Sequence, residues 1–145
     1  MMANSLIKIR KKFEKSKLVR KIIQLKLLKL GMDLPTSVKI GNNLQLPHNS
    51  IGTVIHPNTS IGNNVKIYQN VTIGRADVNT PYTKSKMRGI IIEDNVIIGA
   101  GAKILCKNDI LYIRNGTIIG ANAVVLGSTE ENGVYVGIPA KNIRQ

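Results

Sequence analysis

Residues 55–74 read Ile55-His56-Pro57-Asn58-Thr59-Ser60-Ile61-Gly62-Asn63-Asn64-Val65-Lys66-Ile67-Tyr68-Gln69-Asn70-Val71-Thr72-Ile73-Gly74. Isoleucine returns every sixth residue, at 55, 61, 67 and 73, and a β-branched residue stands four places after each of the first three: Thr59, Val65 and Val71. Six matches neither the period of a helix, about 3.6, nor the alternation of a half-buried strand. It does fit a coil in which each hexad supplies one short strand and one turn, with the aliphatic side chain inward. Three hexads close one triangular coil, and successive coils stack through parallel strand pairing.

Working outward, the same spacing appears upstream at Leu34, Ile40 and Leu46. Downstream it runs through Ile92, Ile98 and Ile104, then Ile113, Ile119 and Val125. Val38, Leu44, Val96, Ala102, Thr117 and Ala123 occupy the companion position. Thirteen hexads, some imperfect, make a little over four coils. The period fails in three places. Leu46 to Ile55 carries three extra residues and contains His48; Ile104 to Ile113 also carries three; Ile73 to Ile92 carries thirteen, an inserted loop at about 75–89. Counted by threes, Ile73 and Ile104 lie on one face of successive coils, so their insertions leave from the same edge. Loops on a rigid scaffold are where function is usually placed.

Residues 1–31 are different. Leu6, Ile9, Phe13, Val19, Ile22 and Ile23 recur at helical spacing among lysines and arginines, and Gly31 is a natural stop. This predicts one basic amphipathic α-helix ahead of a β-helical domain spanning 32–145. The segment holds ten Lys/Arg and one acid, a net of +9 out of the chain's +13. Such an asymmetry points to a surface or partner rather than to the fold. Packing of this helix within its own assembly is the favoured expectation, and peripheral contact of residues 5–30 with an anionic membrane is the alternative. Nucleic acid fits less well, because the segment has one aromatic and no reading motif. No apolar run approaches the ~18 residues needed to span a bilayer. The single cysteine, Cys106, permits no intrachain disulfide and fits a cytoplasmic location. Three Asn-x-Ser/Thr triplets begin at Asn58, Asn70 and Asn115; their Ser/Thr fall at fixed repeat positions and read as by-products of the repeat.

Candidate chemistry is sparse. Of two histidines, His48 lies in a break of the repeat, whereas His56 follows an inward aliphatic and reads as a polar turn residue. A general base for hydroxyl attack needs a group titrating near neutrality and an acid that orients it. Asp33 stands 15 residues before His48, close to one coil, and is either that acid or a residue of the helix-to-strand turn. Cys106 reads as an inert thiol at a coil corner. No metal-ligand spacing, phosphate loop or serine-nucleophile elbow is present, so no metal is expected.

Four stretches carry a resemblance: Leu46-Pro47-His48, Tyr68 to Gly74, Ile98 to Leu105 (Ile-Gly-Ala-Gly-Ala-Lys-Ile-Leu) and Gly137-Ile-Pro-Ala-Lys141. From Asp33 to Arg144 the chain resembles the hexapeptide-repeat acyltransferases, above all the serine O-acetyltransferase branch and its bacterial polysaccharide and capsule O-acetyltransferase relatives. The resemblance implies a left-handed parallel β-helix, a homotrimer with sites between subunits, and acetyl-CoA as co-substrate. It assigns the catalytic pair to His48 and Asp33. It places the CoA arm along Ala100, Ala102, Ala121 and Lys141, where small residues admit pantetheine and the lysine meets phosphate.

Two departures bear on the acceptor. Serine acetyltransferases carry an aspartate where this chain has Pro47, and an Arg-His pair where it has Arg88-Gly89. Losing polar partners for a charged substrate costs about 1.5–3 kcal/mol per charge-assisted hydrogen bond. The loop from Arg75 to Arg88 therefore reads as a lid facing a sugar, with Arg75 and Arg88 as substrate ligands. The expected reaction is O-acetylation of a sugar hydroxyl on a bacterial polysaccharide or its precursor, in the cytoplasm or at the inner face of the membrane. The alternatives are a serine O-acetyltransferase and a non-enzymatic membrane-docking scaffold.

Overall fold

The computed structural model describes residues 1–144. Residues from Met32 onward wind into a three-faced prism of short strands. The first face stacks Val54–Ile55, Thr72–Arg75, Lys103–Cys106 and Val124–Val125. The second stacks Lys39–Ile40, Thr59–Ile61, Met87–Ile92 and Asp109–Ile113. The third stacks Lys66–Ile67, Ile97–Ile98, Ile118–Ile119 and Val134–Val136, all parallel, and Lys141–Asn142 closes it antiparallel.

The register follows the hexad. Ile55 pairs with Ile73 and Ile73 with Ile104; Ile61 pairs with Ile92 and Ile92 with Ile113; Ile67 pairs with Ile98 and Ile98 with Ile119. All of these isoleucines are buried, with Val65, Val71, Val96, Ala102 and Ala123 filling the space between them. A triangular bore is narrow, so aliphatic side chains fill it and aromatic rings stay outside.

Closing a triangle in hexads requires a sharp corner after each strand, and left-handed backbone supplies it. Asn43, Asn64, Asn95, Asn70 and Asn122 all have φ between 55 and 59°, which asparagine tolerates better than other non-glycine residues. At one edge Asn43, Asn64 and Asn95 each donate a side-chain amide to the Oδ1 of the next, ending at Asn115, in a ladder of 3.1–3.3 Å steps. Gly52 and Gly101 hold equivalent corners at φ +75° and +74°. A Cβ at either would collide with the Oδ1 of Asn70 or Asn122 on the next coil.

The N-terminal segment departs from expectation. It forms two helices, α1 (Met2–Lys12) and α2 (Lys17–Lys29), packed on each other and on the first coil. The break at Phe13–Ser16 comes from a local cap, since Ser16 Oγ accepts the Val19 N–H at 3.3 Å and restarts the helix. The expected single apolar stripe is divided accordingly. Leu6 and Ile23 are buried and Val19 packs against the core, whereas Ile9, Phe13 and Ile22 face outward.

What the hairpin does is seal the end of the prism. The first coil has no coil beneath it to receive its carbonyls, and Arg10 takes their place. Its buried guanidinium donates to the carbonyls of Leu34 (3.4 Å), Pro35 (3.1 Å), Thr36 (3.3 Å) and Val38 (2.7 Å). Burial, and then the neighbouring Arg20, push Arg10 down to about 10. Among the described residues no helix is long and apolar enough to cross a membrane.

Candidate active-site edge

His48 lies on a tight turn, Pro47–Ser50, where the third face hands over to the first. His48, Asn49 and Ser50 have φ of 53, 56 and 47°. Three consecutive non-glycine residues in this region cost about 1–2 kcal/mol each, so the turn must be held from outside. It is held on three sides. Asn49 Oδ1 accepts the Ala3 N–H of α1 at 3.1 Å, and Asn4 Oδ1 of α1 accepts the Leu46 N–H at 2.8 Å. Ser50 Oγ donates to the Ile67 carbonyl of the next coil at 2.7 Å. α1 has no side-chain cap of its own, so Asn49 serves as its N-cap across 46 residues. The imidazole of His48 is left exposed.

Above it the edge continues unbroken. Asn70 N–H donates to Ile51 O (2.8 Å), Gly101 N–H to Gln69 O (2.9 Å) and Asn122 N–H to Ala100 O (2.9 Å). The corners bearing His48, Gln69, Ala100 and Ala121 thus stack in one line. Ala100 is half-buried and Ala121 exposed. The tail joins the line, since Val124 N–H donates to Gly137 O and Ala140 N–H to Val124 O, leaving Lys141 exposed. Ala102 does not belong to it. It sits four places after the inward Ile98, and its methyl is buried in the bore, so no ligand on the outer surface can reach it. Gln69 is a residue that composition and spacing did not single out. Its Oε1 is buried and has no hydrogen-bond partner among the described residues, an open acceptor between the His48 turn and Ala100.

Asp33 lies one coil below the strand that follows the His48 turn. Its N–H donates to Thr53 O at 2.9 Å, its carbonyl accepts from Ile55 at 3.0 Å, and Gly52 N–H donates to Gly31 O at 2.8 Å. Asp33 and His48 therefore share an edge and adjacent levels, while no hydrogen bond joins their side chains among the described residues.

The two arginines expected on the acceptor occupy a different edge, between the first and second faces. Arg75 is a strut of its own loop. It donates to Asp77 Oδ1 (2.8 Å), Asp77 O (3.0 Å) and Thr80 O (2.7 Å), and stacks over Tyr82. With those donors engaged, Arg75 is not the free substrate ligand expected. Hydrogen bonds from Arg75 and then Ser85 hold the Asp77 carboxyl below its usual range. Tyr82 lies against His56, ring centroids 6.2 Å apart, and burial together with Arg75 lowers the His56 pKa. Arg88 is exposed, with only a loose 3.6 Å approach to Asp109. Gly89 is buried, and a Cβ there would stand 3.0 Å from Asn58 O.

Cys106 ends a strand of the first face rather than standing at an open corner. It is buried, its thiol points to the carbonyls of Asn108 and Asp109, and burial raises its pKa. Among the described residues no group of His, Cys, Asp and Glu is arranged to hold a metal.

No family model matches the chain. Over 126 residues it is 40% identical to a serine acetyltransferase of Staphylococcus epidermidis, a match covering 87% of this chain and 55% of that protein. Among solved structures, a serine acetyltransferase of Neisseria gonorrhoeae in complex with serine superposes with a TM-score of 0.70. It is 29% identical and covers 91% of this chain and 50% of that one. A serine acetyltransferase of Brucella abortus in complex with coenzyme A gives 0.68 at 27% identity, covering 97% and 51%. The chain has the hexapeptide-repeat acyltransferase fold. It spans about half the length of the curated relatives it matches.

Proposed function

We propose that this protein is an acetyl-CoA-dependent O-acetyltransferase working at the His48 edge, as a homotrimer of left-handed β-helices. The observation that carries the reading is the stack itself. One exposed imidazole, held on a strained turn, stands in line with the small-residue corners of Ala100 and Ala121 and with Lys141. That line suits an extended pantetheine arm, with Lys141 near its phosphates. His48 removes the proton from the acceptor hydroxyl as its oxygen attacks the thioester carbonyl. The C–S bond breaks as the C–O bond forms, and the imidazole passes the proton to the departing thiolate. Asp33, on the neighbouring level of the same edge, is the acid assigned to orient the ring.

Serine is the acceptor we favour, on the strength of the relatives' names and the serine-bound neighbour. This replaces the sugar hydroxyl that the sequence alone suggested. The sugar reading keeps two specific observations: Pro47 and the buried Gly89 stand where serine-gripping side chains are expected, and a Cβ at Gly89 would press closely on the Asn58 carbonyl. Arg88, free of strong partners and on the opposite edge, meets the His48 edge of an adjacent subunit in the proposed trimer. Thiol release from acetyl-CoA, followed with serine and with a panel of free and nucleotide-linked sugars, separates the two. Serine-dependent release supports the first reading. Release only with a sugar establishes the second, and release with neither contradicts both.

A further inference from the structure

Helix α2 is apolar on two sides. Ile23 and Leu27 are buried against the chain, and Val19 packs beside them. A second stripe, Leu18, Ile22, Leu25 and Leu28, recurs at spacings of four and three and faces solvent, at 71, 43, 49 and 45% exposure. The first stripe accounts for the fold; the second has no work to do within it. Exposed Lys17, Lys21, Lys26 and Lys29 flank and interleave the outer stripe, and residues 15–32 contain no acid at all.

Charge decides what can cover such a face. A second copy of α2 would bring eight lysines together with no carboxylate between them. Nucleic acid would satisfy the lysines and leave four large aliphatic side chains without a partner. An anionic bilayer surface satisfies both, since aliphatic side chains enter the acyl boundary while lysines reach outward to lipid phosphates. We propose that the outer face of α2 docks the protein in the plane of a membrane rich in anionic lipid. The hairpin caps the end of the prism that carries the His48 turn, and α1 holds that turn directly. Docking therefore puts the His48 edge close to the lipid surface. This inference stands on α2 alone and does not depend on the acyl-transfer reading.

Flotation of the full chain with vesicles tests it. Wild type is expected to float with phosphatidylcholine vesicles containing one-third phosphatidylglycerol and to stay behind with phosphatidylcholine alone. Raising the salt to about 0.5 M should release it. Ile22→Ser/Leu25→Ser and Lys21→Glu/Lys29→Glu should each weaken partitioning by about tenfold or more, while the thermal melt shows both variants folded. Absence of flotation, equal flotation on neutral lipid, or unchanged partitioning of folded variants would each overturn the proposal. So would a larger assembly that Ile22→Ser/Leu25→Ser disperses without lipid, or retention of the lysine face by nucleic acid in place of vesicles.

Discussion

Replacing Asn49 by alanine separates two things the structure asks of one residue. Asn49 Oδ1 caps α1 through the Ala3 N–H, and its backbone holds φ at 56° beside His48. Losing an N-cap costs about 1 kcal/mol, and moving alanine into left-handed backbone adds about 1–2 kcal/mol. Asn49→Ala should therefore lose about 2–3 kcal/mol, a drop of roughly 5–10 °C in melting temperature for a chain of this size. Because the turn also sets the imidazole, an ångström of drift would lower kcat by about tenfold to a hundredfold, with KM for acetyl-CoA little changed. Two further variants divide the effect. Asn49→Gly keeps the backbone angle and loses the cap; Asn49→Asp keeps the acceptor and the tolerance for positive φ, and should rescue most of kcat. Melting curves and thiol-release kinetics on the three proteins are the assay. Wild-type kcat in Asn49→Ala, or an Asn49→Asp as impaired as Asn49→Ala, would refute the coupling of α1 to the His48 turn.

Other perturbations follow from the same geometry. Arg10→Met takes a donor from four first-coil carbonyls, of which Thr36 O keeps Arg20 and Pro35 O keeps the Val38 N–H, and leaves those of Leu34 and Val38 without their guanidinium partner; it should cost about 3 kcal/mol in urea unfolding, with Arg10→Lys recovering part of it. His56 titrates lower when folded than unfolded, so the unfolded chain takes up the proton first. Stability is then complete above the ordinary histidine range and falls as pH drops below about 6.5; urea midpoints at neutral and mildly acid pH should show this slope, reduced in His56→Gln. Asp77 and Asp94, both held below the usual carboxylate range, add their loss only at lower pH still. Cys106→Ala should leave turnover nearly intact, and the wild-type thiol should resist aqueous thiol reagents until the chain unfolds, because burial and a raised pKa both suppress the thiolate.

The prism was readable from the repeat because a six-residue period admits few architectures. Every inward isoleucine from Ile55 to Ile119 lies where the hexad puts it, and the Ile73 and Ile104 insertions do leave from one edge. The same repeat could have excluded Ala102 from the ligand surface, since it shares the inward column of Val96 and Ala123. Ser16 carried the signal that splits the N-terminal helix, but an apolar period running through it concealed the break. Arg10, Asn4 and Asn49 were not legible, because what they do depends on α1 lying against the first coil, which no local pattern encodes. Arg75 looked like a ligand because a loop arginine is usually free; its bonds to Asp77 and Thr80 become visible only once the loop is folded.

The central claim is that His48 is the base of acyl transfer. Its most direct test is the rate of acceptor-dependent thiol release from acetyl-CoA by His48→Asn, compared with wild type at the same protein concentration. A fall of about a hundredfold to ten-thousandfold with an unchanged melting temperature is the predicted result. Release at near wild-type rate by the folded variant would contradict it.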